Sequence, residues 1–317
     1  MQAYIIRRLL LVIPTLFFMS LIIFFSIRLI PGDIIDLMVA EMEHFTLADR
    51  AHIEHQLGFD LPIHVQYGRW MGDLIMHGSL GQSLWTDEPV TDEIIRRFPV
   101  TAELGVLAMI AGLIIALPVG VYSAIRQDTV GDYIGRSFAI MCIAMPTFWI
   151  GTLVVVFPAI WWGWSPPILI LSFTEDPMGN LAQFIVPAVI VGMALSGTVM
   201  RMTRTMMLEV LRQDYIRTAW AKGLRERTVV MRHALKNALI PVVTILGLQV
   251  AVVIGGTVIV EQIFCLPGIG RLLVQSLNQR DYPLVSGAML FIGLIMLIVN
   301  LVVDLSYGFL DPRVKYR

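Results

Sequence analysis

Six stretches of about 20 residues in this chain contain no Asp, Glu, Lys or Arg. They are Leu9–Ile27, Leu104–Ile125, Ser137 to about Trp161, Pro177–Met200, Asn237–Val260 and Tyr282–Val303. Each is long enough, as a helix, to cross roughly 30 Å of hydrocarbon. No other solvent suits them, because only 15% of the 317 residues are charged while 57% are hydrophobic. That composition excludes a soluble enzyme, whose surface needs more polar residues. Pro14, Pro118, Pro146, Pro187 and Pro241 fall inside these stretches. Bundled membrane helices accommodate such prolines as kinks, since neighbours satisfy the freed carbonyls. An all-α integral membrane protein with six transmembrane helices is expected.

The first stretch follows Arg7 and Arg8 as a secretory signal would. Its apolar run is too long for a signal core and no small-x-small site ends it, so it is expected to remain as the first helix. Cys142 and Cys265 belong to separate regions and lack metal-ligand spacing, so neither a disulfide framework nor a metal site is expected.

Orientation follows from where the basic residues sit. Arg7, Arg8, Arg126, Arg136, the nine Lys and Arg between Arg201 and Lys236, and Arg313, Lys315 and Arg317 fall on one side. The short loops opposite hold only Arg271 and Arg280. By the positive-inside rule both termini are cytoplasmic. The near neutrality of the chain, formally -1, gives no reason to expect nucleic acid as a partner. Three regions result: residues 1–30 with the first helix, an extracytoplasmic segment at 31–99, and a core at 100–317 with five helices and a cytoplasmic loop at about 201–236. Five of the six histidines and 12 acidic residues fall in 31–99. Its turn and cap residues predict one helix from Thr46 to Gly58 and another opened by Pro62, presenting Val65, Trp70 and Leu74 and ending at Gly78. Trp161, Trp162 and Trp164 suit an aromatic belt at the membrane surface.

Small residues recur every fourth position at Ala108, Gly112, Ala116, Gly120 and Ala124, at Ala188, Gly192 and Ser196, and at Gly247, Ala251 and Gly255. Such rows let helices pack closely, and the alternative is that they line or gate a path. No ionisable residue lies mid-span. Glu103, Glu261 and Asp304 sit at span ends, where interfacial solvation is expected, with a substrate contact as the alternative. Gly247, Ala251, Gly255, Glu261, Asn300 and Asp304 are the candidate path or gate residues. No phosphate-binding loop of the G-x-x-x-x-G-K-[ST] form is present, so ATP would have to be used by other subunits. Ser196-Gly197 hints at an intramembrane hydrolase, but the sole histidine outside 31–99, His233, belongs to the cytoplasmic loop and gives such a serine no base.

The nine basic residues of that loop surround Asp214–Val242, DYIRTAWAKGLRERTVVMRHALKNALIPV. Asp214 is expected to cap a short helix with Ile216, Ala219 and Trp220 on one face. Lys222 then sits in its last turn and Gly223 ends it in a left-handed turn. Glu226 would open a second helix running toward Pro241. Such a short helix suits a partner's groove or, equally, an anionic lipid surface.

The loop resembles the EAA loop of ABC-importer permeases, in which a coupling helix enters the ATPase subunit. Arg217-Thr218-Ala219 stands where the general pattern has E-A-A, Gly223 matches its glycine, and His233-Ala234-Leu235-Lys236 replaces I-x-L-P. These departures match the dipeptide, oligopeptide and nickel branch. Its first permease subunit is also resembled by Ile30-Pro31-Gly32-Asp33, by Leu57-Gly58-Phe59-Asp60-Leu61-Pro62, by Gly78-Ser79-Leu80-Gly81-Gln82-Ser83, by Glu261 through Arg271, by Arg280-Asp281-Tyr282-Pro283 and by Asp311-Pro312-Arg313.

The resemblance implies a type I ABC-importer permease fold in a bacterial or archaeal inner membrane. It implies a heterodimer with a second permease subunit, two ATP-binding subunits that hold ATP and Mg, and an extracytoplasmic solute-binding protein. This chain itself would bind no cofactor and catalyse no reaction. The expected cargo is di- or oligopeptides, the alternatives being nickel, glutathione or an oligosaccharide. The coupling residues it implies are Asp214, Tyr215, Arg217, Thr218, Ala219, Ala221, Lys222, Gly223, Leu224, Arg225 and Glu226. Gly223→Asp, or a bulky charged residue at Ala219, is expected to uncouple ATP hydrolysis from uptake with the fold intact.

Overall fold

The computed structural model describes residues 2–29, 54, 55, 58, 60–167 and 169–310. The helix expected at Thr46–Gly58 lies almost wholly outside them. Gly58 does take the left-handed conformation of a stop, at φ 70°.

Among the described residues the secondary structure is helical, with one isolated bridge between Gln82 and Pro89. The helices are α1 (Gln2–Arg28), α2 (Ile63–His77), α3 (Val90–Ile125), α4 (Val130–Ala144), α5 (Thr147–Trp162), α6 (Pro177–Leu211) and α7 (Asp214–Ala221). A turn at Glu226–Thr228 and a π-helical segment at Val229–Ala234 lead into α8 (Leu235–Ile263), followed by α9 (Ile269–Asn278) and α10 (Tyr282–Leu310). Five helical stretches are long and apolar enough to cross a membrane, and α4 with α5 would make a sixth.

The third expected span is not one helix. Its halves are bent by 91° across Met145 and Pro146. A proline disfavours helical ψ in the residue before it, and Met145 accordingly sits at ψ 121°. Pro146 then opens α5, where its missing N–H costs nothing. At 15 and 16 residues each half is about 23 Å long, too short to cross alone.

The chain forms two compact units. One contains Val100–Leu266 and residues from Ile298 onward. Its core gathers Leu104, Ala108, Phe184, Leu195, Val199, Val242 and Val260 from α3, α6 and α8. The small-residue rows of α3 and α6 are packing faces here. A Cβ on Gly192 would lie 2.5 Å from the Ala108 carbonyl oxygen, and one on Gly112 would lie 2.9 Å from that of Gly192. Ala108, Ala116 and Ser196 are fully buried, and the Ser196 hydroxyl donates to the Met193 carbonyl at 2.7 Å.

The other unit contains Gln2–Pro99 and Pro267–Leu297. Of the faces predicted for α2, Trp70 stacks obliquely on Phe24 and Leu74 joins the Ile23, Ile27, Val285 and Leu290 cluster. At the corner before α10, Asp281 is buried and accepts from the Ser83 hydroxyl (2.6 Å) and the Leu84 and Leu284 amides (3.1 and 3.2 Å). Burial pushes its carboxyl above the ordinary range, the Ser83 hydrogen bond opposes that shift, and the nearby Glu93 charge adds to it.

Candidate functional site

The basic loop is shorter than its charge run suggests. Helix α6 continues through Arg201 and Arg204 to Leu211, because charged residues mark where a helix leaves the hydrocarbon and not where it ends. What remains is α7 and its flanking turns, Arg212 to Arg225.

Helix α7 has eight residues, too few to be stable in isolation, so packing must hold it. Ile216 and Ala219 supply that packing, three residues apart on one face and both buried. They join Ala124, Met207, Val229, Val230, Ala234 and Ala238 in one cluster. A second tie comes from Tyr215. The Asn237 amide donates to its hydroxyl at 2.8 Å and to the His233 carbonyl at 3.2 Å, so α7 is tethered to the start of α8. The π-helical segment, where an extra residue enters the turn, lies in that entry.

Three expectations for this helix need correction. Asp214 is its first residue, not its cap; Gln213 precedes it without a side-chain cap bond. The Asp214 carboxylate instead meets Arg217 at 3.3 Å, an exposed pair worth little. Trp220 does not share the buried face and is 45% exposed, because the cluster is already closed by Ile216 and Ala219. Ala219 is 7% exposed, so a bulky charge there would break the packing before it affected any docking. Gly223 matches its expected role, at φ 74° with nothing within 4 Å of the position a Cβ would take. Conformation, not space, demands glycine there.

The outer face of α7 is therefore aromatic and basic. Tyr215, Trp220 and Leu224 are exposed apolar groups, and Arg217, Thr218, Ala221, Lys222, Arg225 and Glu226 are exposed around them. An exposed tryptophan beside arginine and lysine suits a partner's groove or an anionic lipid surface alike.

Sequence reasoning missed an anchor between α4 and α6. Asp132 in the first turn of α4 has no exposure, and the Arg204 guanidinium donates to both its oxygens at 2.8 Å. The Ser123 hydroxyl and the Asp128 amide also donate to it, and Arg136 approaches to 3.6 Å. The paired oxygens and two donor nitrogens form a planar fork that a lysine could not make. The anchor fixes α6 seven residues before its end, and α7 begins three residues after that end. Thr129 caps α4 by accepting from the Asp132 amide, a spacing readable in sequence, but no spacing reveals a partner 72 residues away.

The path candidates divide. Gly247 is buried against Val303, and a Cβ there would collide with the Val303 side chain. Ala251 and Gly255, one and two turns further along α8, are exposed, and nothing lies within 4 Å of a Cβ on Gly255. Asn300 is exposed. Glu261 is not solvated at an interface as expected: it is fully buried and accepts from the Thr101 hydroxyl at 2.7 Å, because α8 continues past it to Ile263. Asp304 belongs to α10, and its side chain lies outside the described residues. Of the histidines in 31–99, His52 lies outside the described residues too, while His55 bonds Asp60 at 2.8 Å and holds that carboxyl below its usual range. Among the described residues no group of three His, Cys, Asp or Glu could hold a metal ion.

Comparison with known proteins gives this surface a context. Residues 116–316 match the model of the binding-protein-dependent transport system inner membrane component, and residues 1–105 match that of the N-terminal part of such components. The chain is 38% identical over 340 residues to the dipeptide transport system permease protein DppB of Escherichia coli K12, covering all of both. It is likewise 38% identical over 339 residues, again end to end, to the di/tripeptide transport system permease protein DppB of Pseudomonas aeruginosa. A solved structure of the MetNI methionine ABC transporter in an inward-facing conformation shares the fold, with a TM-score of 0.56 at 15% identity. That likeness covers 69% of this chain and 96% of the other. The chain thus belongs to the binding-protein-dependent transport system inner membrane components, the permeases of ABC importers.

Proposed function

We propose that this chain is one of two permease subunits of an ATP-driven importer of di- or oligopeptides. End-to-end similarity to two peptide permeases supports the cargo. The observation that carries the coupling role is α7: two apolar side chains hold it to the body, while Tyr215, Trp220, Leu224 and Lys222 face outward. An ATPase subunit with a complementary groove would receive that face. Rigid attachment through Ile216, Ala219 and the Tyr215–Asn237 hydrogen bond would pass its displacement to α6 and α8. Both termini and α7 are then cytoplasmic, the end of α1 at Arg28 is extracytoplasmic, and a solute-binding protein delivers cargo there.

The exposed stripe of Ala251 and Gly255 suits the face on which a second, similar permease completes the path. ATP and Mg would be held by the ATPase subunits, and no step of bond breaking falls to this chain. The test is uptake of labelled dipeptide, with nickel and glutathione as competitors, by proteoliposomes holding the assembled complex and its binding protein. ATP-dependent dipeptide uptake supports the reading. Uptake of nickel or glutathione in its place would move the assignment to another cargo.

A further inference from the structure

Arg28, the last residue of α1, lacks an acidic partner within ion-pair distance among the described residues. Its Nε and Nη2 donate to Gln66 Oε1 at 3.1 and 3.0 Å, its Nη1 donates to the Phe24 carbonyl at 3.3 Å, and its Cζ lies 3.5 Å over the Phe24 ring. All these partners are neutral, so the charge is oriented but not compensated. It lines a cavity of about 260 Å³ together with Arg69, Trp70, Asp73 and Tyr282. The two guanidinium groups call for an acceptor that is rich in oxygen and negative. Two carboxylates are near, Asp73 in the cavity lining, 64% exposed and 3.5 Å from His77, and Asp60, which Arg69 faces and which bonds His55, so the excess of positive charge is Arg28's.

Further along the same two helices the lining changes. Ile13, Leu16 and Phe17 of α1 and Met71, Leu74 and Ile75 of α2 border an apolar groove of about 520 Å³. From Arg28 to Phe17 is 11 residues, about 16 Å of helix, close to half the thickness of a bilayer's hydrocarbon core. A cationic cavity at the end of a span, with an apolar groove further along the same two helices, matches one kind of molecule. We propose that α1 and α2 bind a single anionic phospholipid, its phosphodiester held by Arg28 and Arg69 and one acyl chain lying along Phe17 and Leu74. A free oxyanion would satisfy the head cavity but would leave the groove without a role. The lipid would brace α1 against α2 within this unit, a role separate from ATPase coupling.

The test is native mass spectrometry of the whole complex, released from nanodiscs of phosphatidylcholine with a minor share of phosphatidylglycerol. Wild type is expected to retain one phosphatidylglycerol in preference to phosphatidylcholine. Arg28→Gln with Arg69→Gln should lower that occupancy about tenfold. Arg69 is exposed, so Arg69→Gln alone gives a folded control and should lower it by at least about threefold. Ile75→Asn, at a residue 74% exposed, should weaken retention while leaving the lipid preference intact. Equal retention of both lipids, unchanged retention in the arginine variants, or displacement by millimolar inorganic phosphate would overturn the proposal, the last in favour of a soluble anion.

Discussion

Removing Arg204 tests whether the buried fork between α4 and α6 is a structural anchor. Asp132 has no exposure, and Arg204 is 18% exposed, so little water screens the pair. Arg204→Met takes away both 2.8 Å hydrogen bonds and leaves a carboxylate inside. Breaking a buried pair from one side costs about 3–5 kcal/mol. The Ser123 hydroxyl and Asp128 amide remain as donors, and Arg136 could close from 3.6 Å, so about 3 kcal/mol is expected, the lower end of that range. That is a factor of about 150 in the unfolding equilibrium. Asp132→Asn leaves Arg204 with a neutral acceptor and should cost less, while the double variant should recover about 2 kcal/mol of the summed losses. Unfolding in mixed micelles, followed by tryptophan fluorescence, measures all three. Single losses below about 1 kcal/mol, or strict additivity, would refute the anchor.

Other expectations follow from single sites. Gly192→Ala puts a methyl group 2.5 Å from the Ala108 carbonyl and should cost about 1–3 kcal/mol in the same assay, whereas Gly255→Ala, in open space, should be neutral. If the Gly255 stripe belongs to the path or to the second permease, that neutral variant should still reduce uptake. Asp281 has its carboxyl pKa raised by folding, so its contribution is fully present below the unfolded value near 4 and is lost as pH rises through the higher folded value. Melting temperatures of wild type relative to Asp281→Asn should therefore fall as pH rises through that window; a constant difference would contradict it. Gly223→Val must carry a branched side chain at φ 74° and should cost about 1–2 kcal/mol locally and impair uptake, while Gly223→Asn, which tolerates that conformation, should retain it.

Long-range order in this chain is legible where one residue type has one use. Charge-free runs marked the spans, basic residues clustered at α7, and Gly223 marked its end. What escaped the sequence depended on partners far along the chain. Pro146 can kink a continuous helix or break it, and only the neighbours of α4 and α5 decide between the two. Glu261 near a span end suggested solvent until Thr101 was found to cap it. Trp220, four residues from Ile216, belongs by spacing to the buried face, yet the cluster is complete without it. Asp132 and Arg204 lie 72 residues apart, and no local spacing pairs them.

Coupling through the outer face of α7 is the central claim, and Trp220→Ala addresses it directly. Trp220 is 45% exposed and outside the buried cluster, so the variant should fold and melt as wild type does. In proteoliposomes containing the full complex, dipeptide taken up per ATP hydrolysed should fall about tenfold, as for losing a central aromatic contact of about 1.4 kcal/mol or more. An unchanged ratio at unchanged stability would contradict the assignment of this face to the ATPase.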